Sequence, residues 1–171
     1  MASTLGLLQR LVAEKVEFVL VGGMAAIAHG SAAVTEDVDV CIRFDEPTMR
    51  AVFRALDGKN PRERMNPARP SLGDDPLKFV GYRNLYVTTD DGVVDFLGEI
   101  TGLGSFERVA QNAVNIHLGG SPLRVIGIED LIVSKRKLAR PCVGGPFKEP
   151  VEQSTKIHHV SVFSVIVLVL P

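Results

Sequence analysis

Residues 18–43 read FVLVGGMAAIAHGSAAVTEDVDVCIR, and this stretch constrains the fold more tightly than any other. The apolar run 18–21 ends in glycine, as a buried strand does. Small residues at 24–29 follow Gly22-Gly23 and predict a short helix, with Gly30 as its C′ terminator. A second strand is expected over 38–43, entered through two aspartates one residue apart. Strand side chains alternate between faces, so Asp37 and Asp39 point one way while Val38 and Val40 point into a core. Two carboxylates on one face repel each other and lose hydration unless a cation lies between them. A divalent ion bound to phosphate oxygens meets that need. The Gly22-Gly23 turn opens a helix, where bare backbone N–H groups can approach a phosphate. One local unit therefore offers a phosphate cradle and a metal-binding pair.

A second acidic strand supplies the third piece. Residues 85–89 and 93–97 flank Asp90-Asp91-Gly92, a sound hairpin turn. Within the second arm, Val93-Val94-Asp95-Phe96-Leu97 sets one carboxylate among apolar residues, a costly place for a surface aspartate. If that arm lies beside 38–43, Asp95 joins Asp37 and Asp39 on the same face. Three such carboxylates fit two magnesium ions, with manganese as the alternative. Asp37 and Asp39 would bridge the ions, and Asp95 would hold one of them. Asp95 would also orient an acceptor hydroxyl or take its proton.

Around this centre the chain reads as one domain, 1–141. A first helix is capped by Ser3 or Thr4, with Leu5, Leu8, Leu11 and Val12 inward. Another starts at Asp45 or Glu46 with Pro47 and runs to Leu56. Residues 57–76 hold four prolines, two glycines and many charges, which predicts a long mobile surface loop facing the substrate. Ser105 is placed to cap a helix ending at Gln111, and a strand pair is expected around Gly119-Gly120. A final helix, 128–139, has Ile128, Leu131, Ile132 and Leu138 inward and Lys135 to Lys137 near its basic end. Lys135 reaches a phosphate if that helix packs beside the carboxylates.

Here the residues carry a resemblance. Gly22-Gly23, thirteen residues, Asp37-Val38-Asp39-Val40 and then Val94-Asp95-Phe96 resemble the nucleotidyltransferase superfamily that includes DNA polymerase beta. The finer text is similar to its bacterial branch related to AbiE-type toxins: GGMAAIAHGS with VTEDVDV, LKFVGYRNLYVTTDDGVVDFLGEITG, and IGIEDLIVSKRKLARP. The resemblance spans 18–141. It implies an α/β (α+β) architecture, a mixed sheet flanked by helices, and a divalent metal. It further implies an NTP donor, with Gly22, Gly23, Ser31 and Lys135 binding nucleotide and Asp37, Asp39 and Asp95 both catalytic and metal-ligating. The acceptor would be a tRNA end, a protein side chain or a small molecule. An antitoxin protein would be the partner if the chain is a toxin. Two departures stand out: many relatives carry an arginine where this chain has Ser31-Ala32-Ala33-Val34, and they continue differently after Arg140-Pro141.

Competing readings are weaker. A dinucleotide-binding turn needs glycines where Met24 and Ile27 stand. A DxD glycosyltransferase would leave the Gly-Gly helix and Asp95 unexplained. A non-catalytic nucleotide-binding or regulatory module of the same fold is the main alternative to the enzyme. The bland accounts of the single residues are a solvated aspartate strand face, a hairpin aspartate paired to a nearby Lys or Arg, and a helix-end His29. Lys78 and Arg83 flank the hairpin as minor candidates for contact with the acceptor or triphosphate.

The formal net charge of −1 gives no overall reason to expect a nucleic-acid binder. No signal peptide is visible, so the cytoplasm is the expected compartment, and no membrane partner is expected. Cys41 continues the aspartate strand and reads as a small buried residue. After Pro141 the composition shifts to Pro and Gly and ends in HHVSVFSVIVLVLP. That apolar run, about ten residues, falls short of the roughly 20 a membrane helix needs. Residues 142–171 are expected to be an atypical, poorly ordered tail, as from a frameshifted or recombined end.

Overall fold

The computed structural model describes residues 4–32, 34–118 and 121–138. The expectations for Ser3 as a cap, for Ala33 and for the tail 142–171 fall outside the described residues. In chain order the elements are α1 (Thr4–Ala13), β1 (Phe18–Leu20), α2 (Gly22–Ala28), β2 (Asp37–Ile42), α3 (Glu46–Leu56) and β3 (Arg62–Glu63). A 3-10 turn (Pro76–Phe79) leads to β4 (Asn84–Thr89) and β5 (Gly92–Leu97). Then come β6 (Glu99–Ile100), β7 (Gly104–Ser105), α4 (Phe106–Gln111), β8 (Val114–Leu118), β9 (Ser121–Val125) and α5 (Ile128–Leu138). Seven strands form one mixed sheet in the order β3-β4-β5-β2-β1-β9-β8. β2 runs parallel to β5 and β1 parallel to β9, while the other neighbours are antiparallel. The fold is thus the expected mixed α+β sheet flanked by helices.

The central strands lie where their apolar runs can be buried. Val19, Leu20, Val38, Val40, Val94 and Phe96 have at most a trace of exposed surface. α1 packs on α3 and on β2 and β5, whereas α2 packs on β2 with α5 beside it. The entry to α3 shows how local chemistry sets an element boundary. Asp45 accepts a hydrogen bond from the Thr48 N–H at 3.0 Å, and Pro47 occupies a first-turn position that needs no donor. Asp45→Ala is therefore expected to cost about 1 kcal/mol in urea unfolding, with no change in m-value.

Several local expectations are corrected. In α1 the buried side chains are Leu7, Leu8 and Leu11, and Leu5 turns outward. In α5 the inward residues are Asp130, Leu131 and Ser134, leaving Ile128, Ile132 and Leu138 exposed. The reason is an ion pair: Arg108 donates to both oxygens of Asp130 at 2.9 and 3.1 Å, and Asn112 adds a third bond. A carboxylate so satisfied can face inward and carry its helix face with it. Ser105 precedes α4 but makes no cap bond, because its hydroxyl donates to Glu107 instead. Residues 57–76 are not wholly loop: β3 pairs antiparallel to β4 and extends the sheet by one short strand.

Candidate active site

The parallel pairing of β2 with β5 sets Asp39 directly opposite Asp95 and Asp37 opposite Val93. Register partners on parallel strands point to the same face, and residues two apart on a strand share it. Asp37, Asp39 and Asp95 therefore lie on one face of the sheet centre. Val38, Val40, Val94 and Phe96 fill the other face.

Burial pushes the Asp39 carboxyl above its ordinary value of 3.8, and the charges of Asp95 and Asp37 add to the rise. Two groups oppose this: the Gly23 N–H donates to the carboxylate, and the Lys135 ammonium attracts it. Lys135 sits in the last turn of α5, so the packing of that helix beside α2 brings its charge to the cluster. A cleft of ≈ 290 Å³ opens here, with Gly22, Asp39, Asn84, Tyr86, Ser134 and Lys135 in its wall. A larger hollow, ≈ 630 Å³, lies between α3 and the 57–76 segment and contains none of the expected site residues.

The two glycines have distinct roles. Gly22 has φ +64°, and a Cβ there would fall 2.6 Å from the Asp39 Cγ and 2.7 Å from its Cβ. No residue with a side chain fits without moving Asp39. At Gly23 a Cβ would meet the Thr35 side chain at 2.9 Å. The expected loop-then-helix order is also revised, because α2 begins at Gly22 itself. The glycine pair thus makes room for the carboxylate and for Thr35, and one of its N–H groups already bonds to Asp39.

Ser31 follows the C-terminal end of α2. It is exposed, and its N–H bonds to the Ala26 carbonyl at 2.9 Å while the Gly30 N–H bonds to Ile27 at 2.8 Å. Those two bonds, with Gly30 at φ +90°, close α2 in a Schellman cap. His29 donates from Nε2 to the Ile126 carbonyl at 2.7 Å, a structural tie to the chain leaving β9. Arg83 pairs with Glu99, and Lys78 is exposed. Cys41 is fully buried, and burial pushes its thiol up to about 12, so it is inert.

The main departure from expectation is at Asp95. A single nitrogen of Arg64, Nη2, donates to both carboxylate oxygens at 2.7 and 2.6 Å. Burial pushes the Asp95 carboxyl up, and Arg64 pulls against that rise. Among the described residues, no three acidic, histidine or cysteine side chains are set to hold an ion as they stand. The three expected carboxylates do share one face, as an acidic pair, Asp37 and Asp39, beside an Asp95 that is held by an arginine. The pair fits a hard divalent cation by its chemistry: oxygen donors, like charges side by side and a raised Asp39 carboxyl. Nothing local signals Arg64, which lies in a charged, proline-rich stretch that reads as solvated surface. Its place is fixed by the pairing of β3 with β4 and by its own N–H bonding to the Tyr86 carbonyl at 2.8 Å.

Comparison with known proteins adds little to this geometry. No protein-family model matches the chain, and no curated protein matches it. Among solved structures it is similar to a Thermotoga maritima protein described as a "putative nucleotidyltransferase". The two are 16% identical over 77% of this chain and 80% of that one, with a TM-score of 0.49. Among the described residues no helix is long and apolar enough to cross a membrane.

Proposed function

We propose that this protein transfers a nucleoside monophosphate from an NTP to an acceptor hydroxyl and releases pyrophosphate, as a metal-dependent nucleotidyltransferase. The observation that supports it most is the β2–β5 register, which sets Asp39 beside Asp95 on the face that carries Asp37. That face borders a cleft holding Gly22 and Lys135. Asp37 and Asp39 would hold the divalent ion, magnesium or manganese. When bound, such an ion neutralises phosphate charge and lowers the pKa of an attacking hydroxyl. The chain's own groups do the rest. The Gly23 N–H fixes the Asp39 carboxylate, and Lys135 offers positive charge to the phosphates in the cleft. Asp95, once free of Arg64, accepts a hydrogen bond from the acceptor hydroxyl and takes its proton. The resemblance to the toxin branch extends the proposal to a toxin with an antitoxin partner, acting on a tRNA end, a protein side chain or a small molecule.

A second reading is favoured by one observation, the closure of Arg64 on Asp95. On that reading the fold binds nucleotide without turning it over. Calorimetric titration with magnesium and each NTP, followed by a pyrophosphate assay in cell extract, separates the two. Binding with pyrophosphate release supports the enzyme; binding without release in any extract supports the non-catalytic module.

A further inference from the structure

The contact between Arg64 and Asp95 is not the usual two-nitrogen fork of arginine on a carboxylate. One nitrogen serves both oxygens, while Nε is buried and has no hydrogen-bond partner. A side-on fork would use Nε and Nη2 together, one on each oxygen, and so would give Nε a partner. The backbone explains the misfit. Arg64 follows directly on β3, and its N–H is tied to Tyr86, the residue opposite Asp95 on β4. The side chain therefore reaches the carboxylate from a fixed anchor, with its guanidinium carbon 5.8 Å from the centre of the Tyr86 ring. Asp37 and Asp39 lie close enough to act on the same guanidinium. Arg64 is thus the cation bonded directly to the acidic face. Even with Lys135 nearby, the three carboxylates keep that face net negative.

We infer that Arg64 is a displaceable counter-ion: it holds Asp95 in the free protein and gives it up when a divalent cation and a polyphosphate enter together. A divalent cation alone would gain Asp95 but strand a half-buried guanidinium with no anion. Phosphate oxygens arriving with the metal give that guanidinium a new partner, and its stranded Nε a new acceptor. Cation entry and phosphate entry are thereby coupled through one side chain. Arg64 is a positioning residue in this scheme, acting through Asp95. The inference rests on the proposed metal and nucleotide site.

The test uses manganese alone, counted as bound or free by its paramagnetic resonance signal, on the full-length protein. Arg64→Gln should bind manganese roughly tenfold more tightly than wild type in the absence of phosphate. Arg64→Lys, which keeps the charge but replaces the planar guanidinium with an ammonium, should fall between. Inorganic tripolyphosphate should narrow the gap between wild type and Arg64→Gln. A second readout needs no variant to fold: the guanidinium nitrogen resonances of Arg64 in wild type should shift when magnesium and tripolyphosphate are added together. If manganese binding requires Asp39 yet is unchanged in Arg64→Gln, or if the Arg64 resonances stay fixed while those of Asp39 shift, Arg64 is a static structural partner and the inference is wrong. If neither ion perturbs Asp39 in any variant, the site reading itself fails, and the inference with it.

Discussion

Asp39→Asn is expected to abolish nucleotidyl transfer while the protein folds at least as well as wild type. Asn keeps the shape and can still accept the Gly23 N–H bond, but it cannot supply an anionic ligand. Loss of one charge-stabilising group at a phosphoryl site lowers turnover on the order of 10³-fold. Stability moves the other way because Asp39 is unfavourably ionised: burial and the neighbouring carboxylates raise its pKa. A raised carboxyl stabilises the fold fully below its ordinary value of 3.8, and that contribution is lost as pH climbs through the higher folded value. Thermal melts across this range should therefore show wild type losing stability relative to Asp39→Asn as pH rises, with the mutant equal or better at neutral pH. A mutant that is folded and still turns over at near-native rate would remove Asp39 from the chemistry.

Gly22→Ala is expected to damage both fold and function, through one contact. The left-handed backbone at φ +64° costs about 1–2 kcal/mol for a residue with a side chain. The new methyl would also lie within 2.6 Å of the Asp39 Cγ, so the carboxylate must move. Misplacing a reacting or ligating group by about 1 Å costs on the order of 100-fold in rate. Chemical denaturation should show the stability loss, and the folded fraction should show the rate loss. Full activity per folded molecule in Gly22→Ala would mean that Asp39 does not need its observed position.

The parts of the site that were legible in the sequence are those encoded locally. Asp37 and Asp39 could be set on one face because strand alternation needs only the residues themselves. Asp95 was legible as a carboxylate among apolar neighbours, and β5 does pair with β2. What stayed hidden depends on partners far along the chain. Arg64 meets Asp95 across 31 residues, through a two-residue strand that carries no apolar pattern. The inward face of α5 follows from Asp130, whose partner Arg108 lies 22 residues earlier, and the apolar residues of α5 alone predict another face. The demand for glycine at Gly22 was visible as a turn, but its cause, the Asp39 side chain against its α-carbon, is a tertiary contact. Ser31 matched a motif position, yet its backbone is used to end a helix.

We propose that Asp37 and Asp39 form the catalytic site of a nucleotidyl transfer. Its most direct measurement is to incubate wild type, Asp37→Asn and Asp39→Asn with cell extract, magnesium and each NTP labelled on the α-phosphate. Wild type should place label on a discrete acceptor from at least one NTP, and chelation of magnesium or either substitution should erase it. Label that appears equally with the Asn variants, or no label from any NTP with a folded, nucleotide-binding wild-type protein, would contradict the account.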